Sequence, residues 1–388
     1  MQTSTYKDQL LAPYEWYRSM RATKPIFHDE EYKAWHLFRY ADVLRGMSDY
    51  ATFSSDPRAT MKWEPEGPDP ILASILRMDP PRHRQLRSLA TVAFTPRVVA
   101  QMAPRVTAIT NELLDKVVAT SELDVVQDLA YPLPVTVIAE LLGIPSEMRE
   151  DFKRWSDALV SDEDSQGRQE LMQELQNMYT YFTQVLEERR QHPQSDLISG
   201  LLAAEVDGQR LSDIELLGFC ALLLVAGNET TTNLIANSIL CFDQNPDVVE
   251  RLRKDPALIP GAVEEALRYL SPVKAMVRFT KTEATVGDQR IGEKEMVICW
   301  LASANRDELQ FPDADRFDIE REPNRHMAFG HGIHFCLGAP LARLEAKIAL
   351  TAMLERLPGQ WRVPDNVPLQ PIKSEIVFGM KNLPMTWG

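Results

Sequence analysis

The segment Phe329-Gly330-His331-Gly332-Ile333-His334-Phe335-Cys336-Leu337-Gly338-Ala339-Pro340 is the part of the sequence that decides the fold. Its three glycines let the backbone turn with positive φ and approach a flat ligand closely. A strong helical pattern follows directly, with Pro340 near its first turn. Cys336 therefore lies just ahead of a helix N-terminus, where free backbone N–H groups and the helix dipole favour a thiolate over a thiol.

The surroundings of Cys336 differ from those of the other three cysteines. Cys220, Cys241 and Cys299 each lie in an apolar stretch, which predicts small buried hydrophobic residues. The four cysteines are far apart and contain no C-x-x-C pair, so the sequence does not indicate a disulfide framework. Taken alone, Cys336 is also consistent with a buried free cysteine in a glycine-rich turn. A cysteine thiolate is, however, the ligand with which a protein pushes electron density onto a haem iron.

The pattern Phe-Gly-x-Gly-x-His-x-Cys-x-Gly, followed by a helix, resembles the cysteine-ligand loop of the cytochromes P-450. Three further segments match that family in the same order, so the resemblance covers essentially the whole chain, which looks like a soluble bacterial member. It implies a single domain over residues 1–388, mostly α-helical with small β-sheets. A haem b group (iron protoporphyrin IX) would lie between a long central helix and the cysteine loop. Cys336 would be the iron ligand, and the resemblance adds four other loop residues to the cofactor site: Phe329, Gly330, His334 and Gly338.

The second segment is Ala226-Gly227-Asn228-Glu229-Thr230, in the middle of a predicted long helix. A threonine inside a helix bonds back to a carbonyl one turn earlier and can bend the helix. Gly227 removes side-chain bulk in the same turn, so we expect a notch beside a cofactor. A solvated polar face is the alternative interpretation, and the apolar flanks disfavour it. By resemblance, Ala226 and Gly227 border the haem, while Glu229 and Thr230 deliver protons during oxygen activation.

The third segment contains Glu265 and Arg268, which share one face of a helix and can form an ion pair. The spacing alone predicts a surface pair. By resemblance, the pair is buried against an arginine of a later loop, for which Arg316 is the candidate, since bidentate guanidinium–carboxylate geometry suits such a triad. Its role would be structural, fixing the segment that leads to the cysteine loop.

The fourth segment, residues 79–87, supplies two candidate partners for the haem propionates. Propionate carboxylates need cationic or donor partners when they are partly buried. By resemblance, His83 and Arg87, four residues apart on one helical face, bind the propionates together with Arg278 and His334. The sequence by itself does not show that these four side chains converge.

Elsewhere the hydrophobic pattern favours helices. Apolar residues recur at spacings of three and four over 103–118 and 171–190. Ser212 is a plausible N-cap with Glu215 three residues later, and it opens a long helix. Strands are predicted in three places: 35–38, within 285–300, and as a final pair around 376–378 and 385–387. Since there is neither an internal repeat nor regular β–α alternation, a doubly wound sheet is not expected.

Composition excludes some classes of function. The chain has 42 basic and 56 acidic residues and a formal charge of −14, which argues against nucleic-acid binding. The N-terminus shows no signal-peptide pattern, and the longest apolar run, 216–227, is too short to span a bilayer. We therefore expect a cytoplasmic protein that binds neither nucleic acid nor a membrane.

Together these features predict a monooxygenase that activates O2 and inserts one oxygen atom into a small apolar organic substrate. Since no flavin or iron–sulfur domain is visible in the 388 residues, a separate ferredoxin or flavodoxin would supply electrons. Arg82 and Arg84 are predicted to be surface residues that contribute to its docking patch. By resemblance, the substrate chamber is lined from five regions of the chain: 60–75, 160–180, 223–226, 273–276 and 376–377.

Two other functions are weighed against this one. A haem-binding sensor or carrier without turnover would have no use for the Glu229–Thr230 pair, and peroxide-driven enzymes on the same fold tend to lack it. The presence of the pair therefore favours ordinary O2 chemistry. The substrate stays open among fatty acids, terpenes, macrolides and carrier-tethered acyl chains.

Overall fold

The computed structural model describes residues 6–59, 70–160, 168–205 and 208–388. Helices predominate, as predicted. The α-helices of the described residues are α1 (Tyr6–Thr23), α2 (Tyr40–Ser48), α3 (Arg82–Ala93), α4 (Pro96–Gln101), α5 (Ala103–Leu114), α6 (Pro132–Leu141), α7 (Arg149–Val160), α8 (Arg168–Gln191), α9 (Leu197–Ala203), α10 (Asp213–Gln244), α11 (Asp247–Lys254), α12 (Ile259–Tyr269), α13 (Leu301–Ala304) and α14 (Ala339–Arg356).

The strands are short and form small sheets. They are β1 (Ile26–Asp29), β2 (Ala34–Leu37), β3 (Phe53–Ser54), β4 (Glu122–Asp124), β5 (Met276–Thr280), β6 (Ala284–Val286), β7 (Gln289–Ile291), β8 (Met296–Cys299), β9 (Trp361–Arg362) and β10 (Pro384–Trp387). One sheet has the order β1-β2-β8-β5-β3, with β2 and β8 parallel. A second has the order β4-β10-β9, and β6 and β7 form a hairpin. The prediction of a mostly α-helical fold with small β-sheets is confirmed.

Helix α10 is the long central helix that the sequence predicts. At its start, the Glu215 carboxylate accepts hydrogen bonds from the backbone N–H and the hydroxyl of Ser212, at 2.8 and 2.9 Å. Every residue from Thr231 to Asp243 is buried, and the helix packs against α6, α7, α12 and α14. By length and composition it is the one helix of the described residues that is able to cross a bilayer. Its burial is that of a core helix.

The predicted helices over 103–118 and 171–190 are present as α5 and α8, although α5 ends at Leu114 and residues 115–121 form turns. The predicted pairing of 376–378 with 385–387 is wrong, because β10 pairs with β4 and β9. Residues 376–378 instead lie beside 272–274. The Phe378 N–H donates to the Pro272 carbonyl at 2.8 Å, and the Lys274 N–H donates to the Ile376 carbonyl at 2.7 Å.

Candidate active site

The loop around Cys336 has the backbone shape that its glycines predict. The Cys336 N–H donates to the carbonyl of Phe329 at 2.9 Å and closes the loop. Gly330 and Gly332 have φ values of 70° and 71°, a region that favours glycine. A Cβ on Gly332 would lie 2.9 Å from the Met47 carbonyl oxygen, so this glycine also permits a close contact with α2. Gly338 has φ −80° and needs no such freedom.

Cys336 lies three residues before the first residue of α14, just ahead of the helix N-terminus as predicted. Burial raises the pKa of its thiol above the ordinary value. Hydrogen bonds from the backbone N–H groups of Gly338 and Ala339 and the positive charges of Arg87 and Arg343 act in the opposite direction. The groups that stabilise a thiolate at a helix N-terminus are therefore arranged around this sulfur.

The four side chains that the resemblance assigns to the propionates come together. The rings of His83 and His334 are 4.3 Å apart between centroids. Burial, followed by the charges of His83, Arg278 and Arg87, lowers the pKa of His334 to about 3. Arg87 is in turn within electrostatic reach of Cys336.

These side chains present donors that the described residues leave unpaired. The Nε2 atoms of His83 and His334 and the Nη2 atom of Arg278 are buried without a hydrogen-bond partner in the described parts of the chain. The side chain of Arg278 is 2% exposed, and its Nη1 donates only to the carbonyl of Val277, at 2.9 Å. Buried donors are unfavourable without acceptors. A group with two carboxylates beside a cysteine thiolate supplies those acceptors, so the residues present fit haem.

Helix α10 carries the second predicted segment. The Thr230 hydroxyl donates to the Ala226 carbonyl at 2.6 Å, as the sequence predicts. Ala226 is exposed although it lies in the middle of a core helix. Gly227 also makes a close helix contact possible. A Cβ at this position would lie 2.9 Å from the Ile138 side chain, so Gly227 lets α10 approach α6 closely.

Glu265 and Arg268 form a fully buried bidentate pair, with N–O distances of 2.8 and 2.7 Å. The prediction that Arg316 completes the cluster is wrong. The Arg316 side chain is 70% exposed and lies near Asp318. Arg321 donates to the Glu265 carboxylate at 3.2 Å instead. Arg316 contributes only its backbone carbonyl, which accepts hydrogen bonds from both Arg268 and Arg321.

Arg82 is not the free surface residue that the sequence predicts. Its guanidinium binds both carboxylate oxygens of Glu215, at 2.6 and 2.5 Å, and thereby ties α3 to the N-terminus of α10. A partner 133 positions away in the sequence cannot be identified from spacing. Arg84 is exposed, as expected.

Sequence reasoning missed a second ion-pair cluster behind the cysteine loop. Glu264 accepts two hydrogen bonds from Arg343, at 2.6 and 2.8 Å, and lies 3.0 Å from the Nε2 atom of His326. Burial opposes ionisation of Glu264, but these partners outweigh it and lower its pKa to about 2. The Arg343 guanidinium also lies over the Phe329 ring, 4.4 Å from its centroid. No spacing rule connects these residues, since each belongs to a different segment.

Of the predicted substrate walls, 273–276 and 376–377 lie side by side, because Val273 and Val377 form an isolated β-bridge. Residue 376 is an exposed isoleucine. The parts of the predicted walls over 60–69 and 161–167 lie outside the described residues.

Comparison with known proteins identifies the family. The family described as Cytochrome P450 matches residues 152–387. The chain belongs to the cytochrome P450 family. The cofactor of a cytochrome P450 is haem, and its activity is that of a monooxygenase, so both predictions are confirmed.

Several bacterial relatives are similar over nearly the whole chain. The putative cytochrome P450 YjiB of Bacillus subtilis (strain 168) is 45% identical over 97% of this chain and 94% of its own length. Substrate-free CYP109E1 from Bacillus megaterium is 42% identical, with a TM-score of 0.91 over 97% of this P450 and 98% of that chain. CYP109E1 has also been solved in complex with testosterone, with a TM-score of 0.88 over 97% of this chain and 99% of that one.

Proposed function

We propose that Cys336 is the axial ligand of the haem iron. The observation that carries this proposal is the set of buried, unpaired nitrogen atoms on His83, His334 and Arg278. His83 and His334 both lie within electrostatic reach of Arg87, and Arg87 in turn acts on Cys336, which accepts two backbone N–H groups. His83, His334, Arg278 and Arg87 would bind the propionates. Phe329, Gly330, Gly338, Ala226 and Gly227 would complete the cofactor site.

Haem, when bound, supplies the iron that activates O2. The role of Glu229 and Thr230 is to move protons into the site. The Thr230 hydroxyl gives its hydrogen to the Ala226 carbonyl at 2.6 Å, so its oxygen remains open to accept another hydrogen bond. Glu229 is half-buried in the adjacent position and supplies an acid next to this alcohol.

Electrons come from a separate ferredoxin or flavodoxin. The P450 likeness covers 97% of the chain, which leaves no stretch within these 388 residues for a flavin or iron–sulfur domain. Two exposed residues neighbour the proposed cofactor-binding residues in sequence: Phe335 directly precedes Cys336, and Arg84 directly follows His83. These two residues are the proposed docking surface. We place the protein, as a single domain over residues 1–388, in the cytoplasm.

The substrate is a rigid apolar molecule of steroid size. CYP109E1, which has been solved with testosterone, is 42% identical over 97% of this chain. The described wall residues also suit an apolar ligand, since Val273, Met276, Ile376 and Val377 have apolar side chains. Titration with testosterone should shift the Soret band of the ferric protein as the ligand displaces iron-bound water. A shift with a fatty acid and none with testosterone would overturn this substrate class.

The ligand assignment is tested by the ferrous–CO spectrum. The wild-type protein should show the red-shifted Soret band of a thiolate ligand, and Cys336→Ser should lose it. Cys220→Ala is the matched control, because Cys220 is fully buried in α10. The assignment fails if Cys336→Ser keeps the red shift or if the control loses it.

A further inference from the structure

A charged side chain lies against the start of the cysteine loop. The Arg343 guanidinium is 4.4 Å from the centroid of the Phe329 ring. The face of an aromatic ring carries partial negative charge and attracts a cation at this distance. The carbonyl of the same phenylalanine accepts the N–H of Cys336 at 2.9 Å. Phe329 therefore connects the arginine to the backbone of the proposed iron ligand.

In the described parts of the chain, one carboxylate balances the charge of Arg343. Glu264 accepts two hydrogen bonds from the guanidinium, at 2.6 and 2.8 Å, which is the bidentate geometry of strong ion pairs. Burial opposes ionisation of Glu264, but the bonds from Arg343 and His326 lower its pKa to about 2. The glutamate is therefore charged at neutral pH, and it holds the guanidinium on the Phe329 ring.

His326 adds a hydrogen bond to this pair without adding charge. Its Nδ1 atom accepts the N–H of Ala328 at 3.2 Å, so the ring proton lies on Nε2. The Nε2 atom is 3.0 Å from the Glu264 carboxylate and donates to it. Arg343 and Glu264 are thus the two charges of the cluster, and their sum is zero.

A balanced pair at this place matters because reduction of a haem makes its site more negative by one charge. A positive charge nearby stabilises the reduced form, and a negative charge stabilises the oxidised form. Arg343 is one of the positive charges within electrostatic reach of Cys336. The side chains of Arg343 and Glu264 are 38% and 29% exposed, so solvent screens them in part. Their effect on the iron site depends on how nearly they cancel.

We propose that Arg343, held on the Phe329 ring by Glu264, sets the reduction potential of the haem through the cysteine loop. The proposal rests on Cys336 as the iron ligand. Glu264 belongs to α12 and Arg343 to α14. Both are positioning residues, because they act on the iron site through Phe329 and Cys336.

The reduction potentials of two single variants test the proposal. Arg343→Gln leaves the glutamate unbalanced and should lower the potential, whereas Glu264→Gln leaves the guanidinium unbalanced and should raise it. Each variant should change the ratio of ferrous to ferric protein at a fixed potential about two- to fivefold, the strength of an exposed cation–π contact. At 59 mV per tenfold change for a one-electron couple, this shift is about 20–40 mV.

The signs of the two shifts separate a charge effect from a structural one. Both variants break the same ion pair, so a merely structural role would move both potentials in the same direction. The double variant Arg343→Gln/Glu264→Gln keeps the net charge and should return to nearly the wild-type potential. Two shifts of one sign, or no shift in either variant, would overturn the proposal. If Arg343→Gln does not retain haem, the sign of the Glu264→Gln shift decides.

Arg356→Gln is the matched control, because it removes the same charge from the far end of the same helix. Arg356 also binds a carboxylate, that of Asp115. It lies about 20 Å further along α14 than Arg343. This distance is well over the Debye length of about 8 Å at physiological ionic strength, so the potential should stay at the wild-type value. A shift as large as that of Arg343→Gln would overturn a specific role for Arg343.

The ferrous–CO spectrum keeps this proposal separate from the ligand assignment. A wild-type spectrum without the thiolate red shift would overturn Cys336 as the ligand, and with it the route through the cysteine loop. If all variants keep the red shift and their potentials equal that of the wild type, only the role of Arg343 and Glu264 is overturned. A red shift in all variants together with opposite potential shifts supports both.

Discussion

At the residue scale, one half-buried and one fully buried glutamate show how the immediate surroundings set the charge. Glu264 has Arg343 and His326 as partners, and its pKa is lowered to about 2. Glu345 lies in α14 with 1% exposure, and its Oε2 atom has no partner among the described residues. Burial raises the pKa of Glu345 to about 8. The first is a carboxylate at neutral pH, and the second is mostly a neutral acid.

The raised pKa of Glu345 predicts a pH dependence of stability. The folded state holds this proton more tightly than the unfolded state, whose pKa is the ordinary 4.5. The free energy of unfolding should therefore decrease as the pH rises from about 4.5 to about 8. Glu345→Gln removes that dependence. As the pH rises through this range, the free energy of unfolding of the variant should therefore increase relative to that of the wild type by a few kcal/mol, on the order of 1.4 kcal/mol per pH unit.

Urea unfolding of both proteins at pH 5 and at pH 8 measures this difference. Glu264→Gln is the control that should show no change between these two pH values, because the Glu264 pKa is lowered and its contribution is lost only as the pH falls from about 4.5 towards 2. A Glu345→Gln variant whose relative stability is the same at both pH values would contradict the prediction.

A second prediction at this scale concerns Thr230. Thr230→Ala removes the hydroxyl that bonds to Ala226 but leaves the donors around Cys336 untouched. We expect haem content and ligand binding to stay unchanged, while about two- to tenfold more of the electrons appear as peroxide, the ratio expected for losing one hydrogen bond of ordinary strength at the proposed proton path. Peroxide and product are measured together against consumed reductant. Unchanged coupling would show that Thr230 does not deliver protons.

At the scale of elements, helix α3 joins the proposed cofactor site to the central helix. It carries His83 and Arg87 on the side of Cys336, and Arg82 binds Glu215 at the start of α10. The position of the propionate donors therefore depends on an ion pair between two helices. That coupling is a property of the packed helices, since neither helix contains both partners.

The Arg82–Glu215 pair makes the next prediction. Arg82→Ala should lower the free energy of unfolding by about 1–2 kcal/mol, because the bidentate pair is partly buried. Arg84→Ala, two residues away and exposed, should stay within about 0.5 kcal/mol of wild type. Urea unfolding of the haem-loaded variants measures both. Equal losses would contradict a specific role for Arg82.

At the scale of the whole molecule, the Glu265 cluster joins α12 to the long segment that leads to the cysteine loop. Besides its pair with Arg268, Glu265 accepts hydrogen bonds from the Asp318 backbone and from the side chain of Asn324, at 2.8 and 3.1 Å. Arg268 reaches the carbonyl of Ala314 at 2.7 Å. One buried ion pair thus fixes the positions of Ala314, Asp318 and Asn324, which lie outside the helices and strands.

The last prediction separates the arginine favoured by sequence from the one found in the structure. Arg321→Ala should destabilise the protein by about 3 kcal/mol, because it removes a partner of a fully buried carboxylate. Arg316→Ala should change stability by less than about 0.5 kcal/mol, since its side chain is exposed. Thermal unfolding of the two variants distinguishes them. The reverse order would restore Arg316 as the third member of the cluster.

The sequence by itself determined the features that depend on neighbours within a turn or two of the chain. These are the glycine-shaped loop around Cys336, its place before α14, the bond from Thr230 to Ala226 and the start of α10 at Ser212. Local geometry makes them predictable, because 3.6 residues per turn and the φ preference of glycine hold in any fold.

Only the tertiary structure decided which distant groups meet. It brought Arg82 to Glu215, selected Arg321 over Arg316, paired 376–378 with 272–274, and set the Asn233 amide against Gly379. Such contacts depend on how all the helices pack together. The local sequence around an arginine or a glycine does not show which distant group it will contact. The iron chemistry therefore follows from the local motifs, whereas the arrangement of the groups around it follows from the packing of the whole chain.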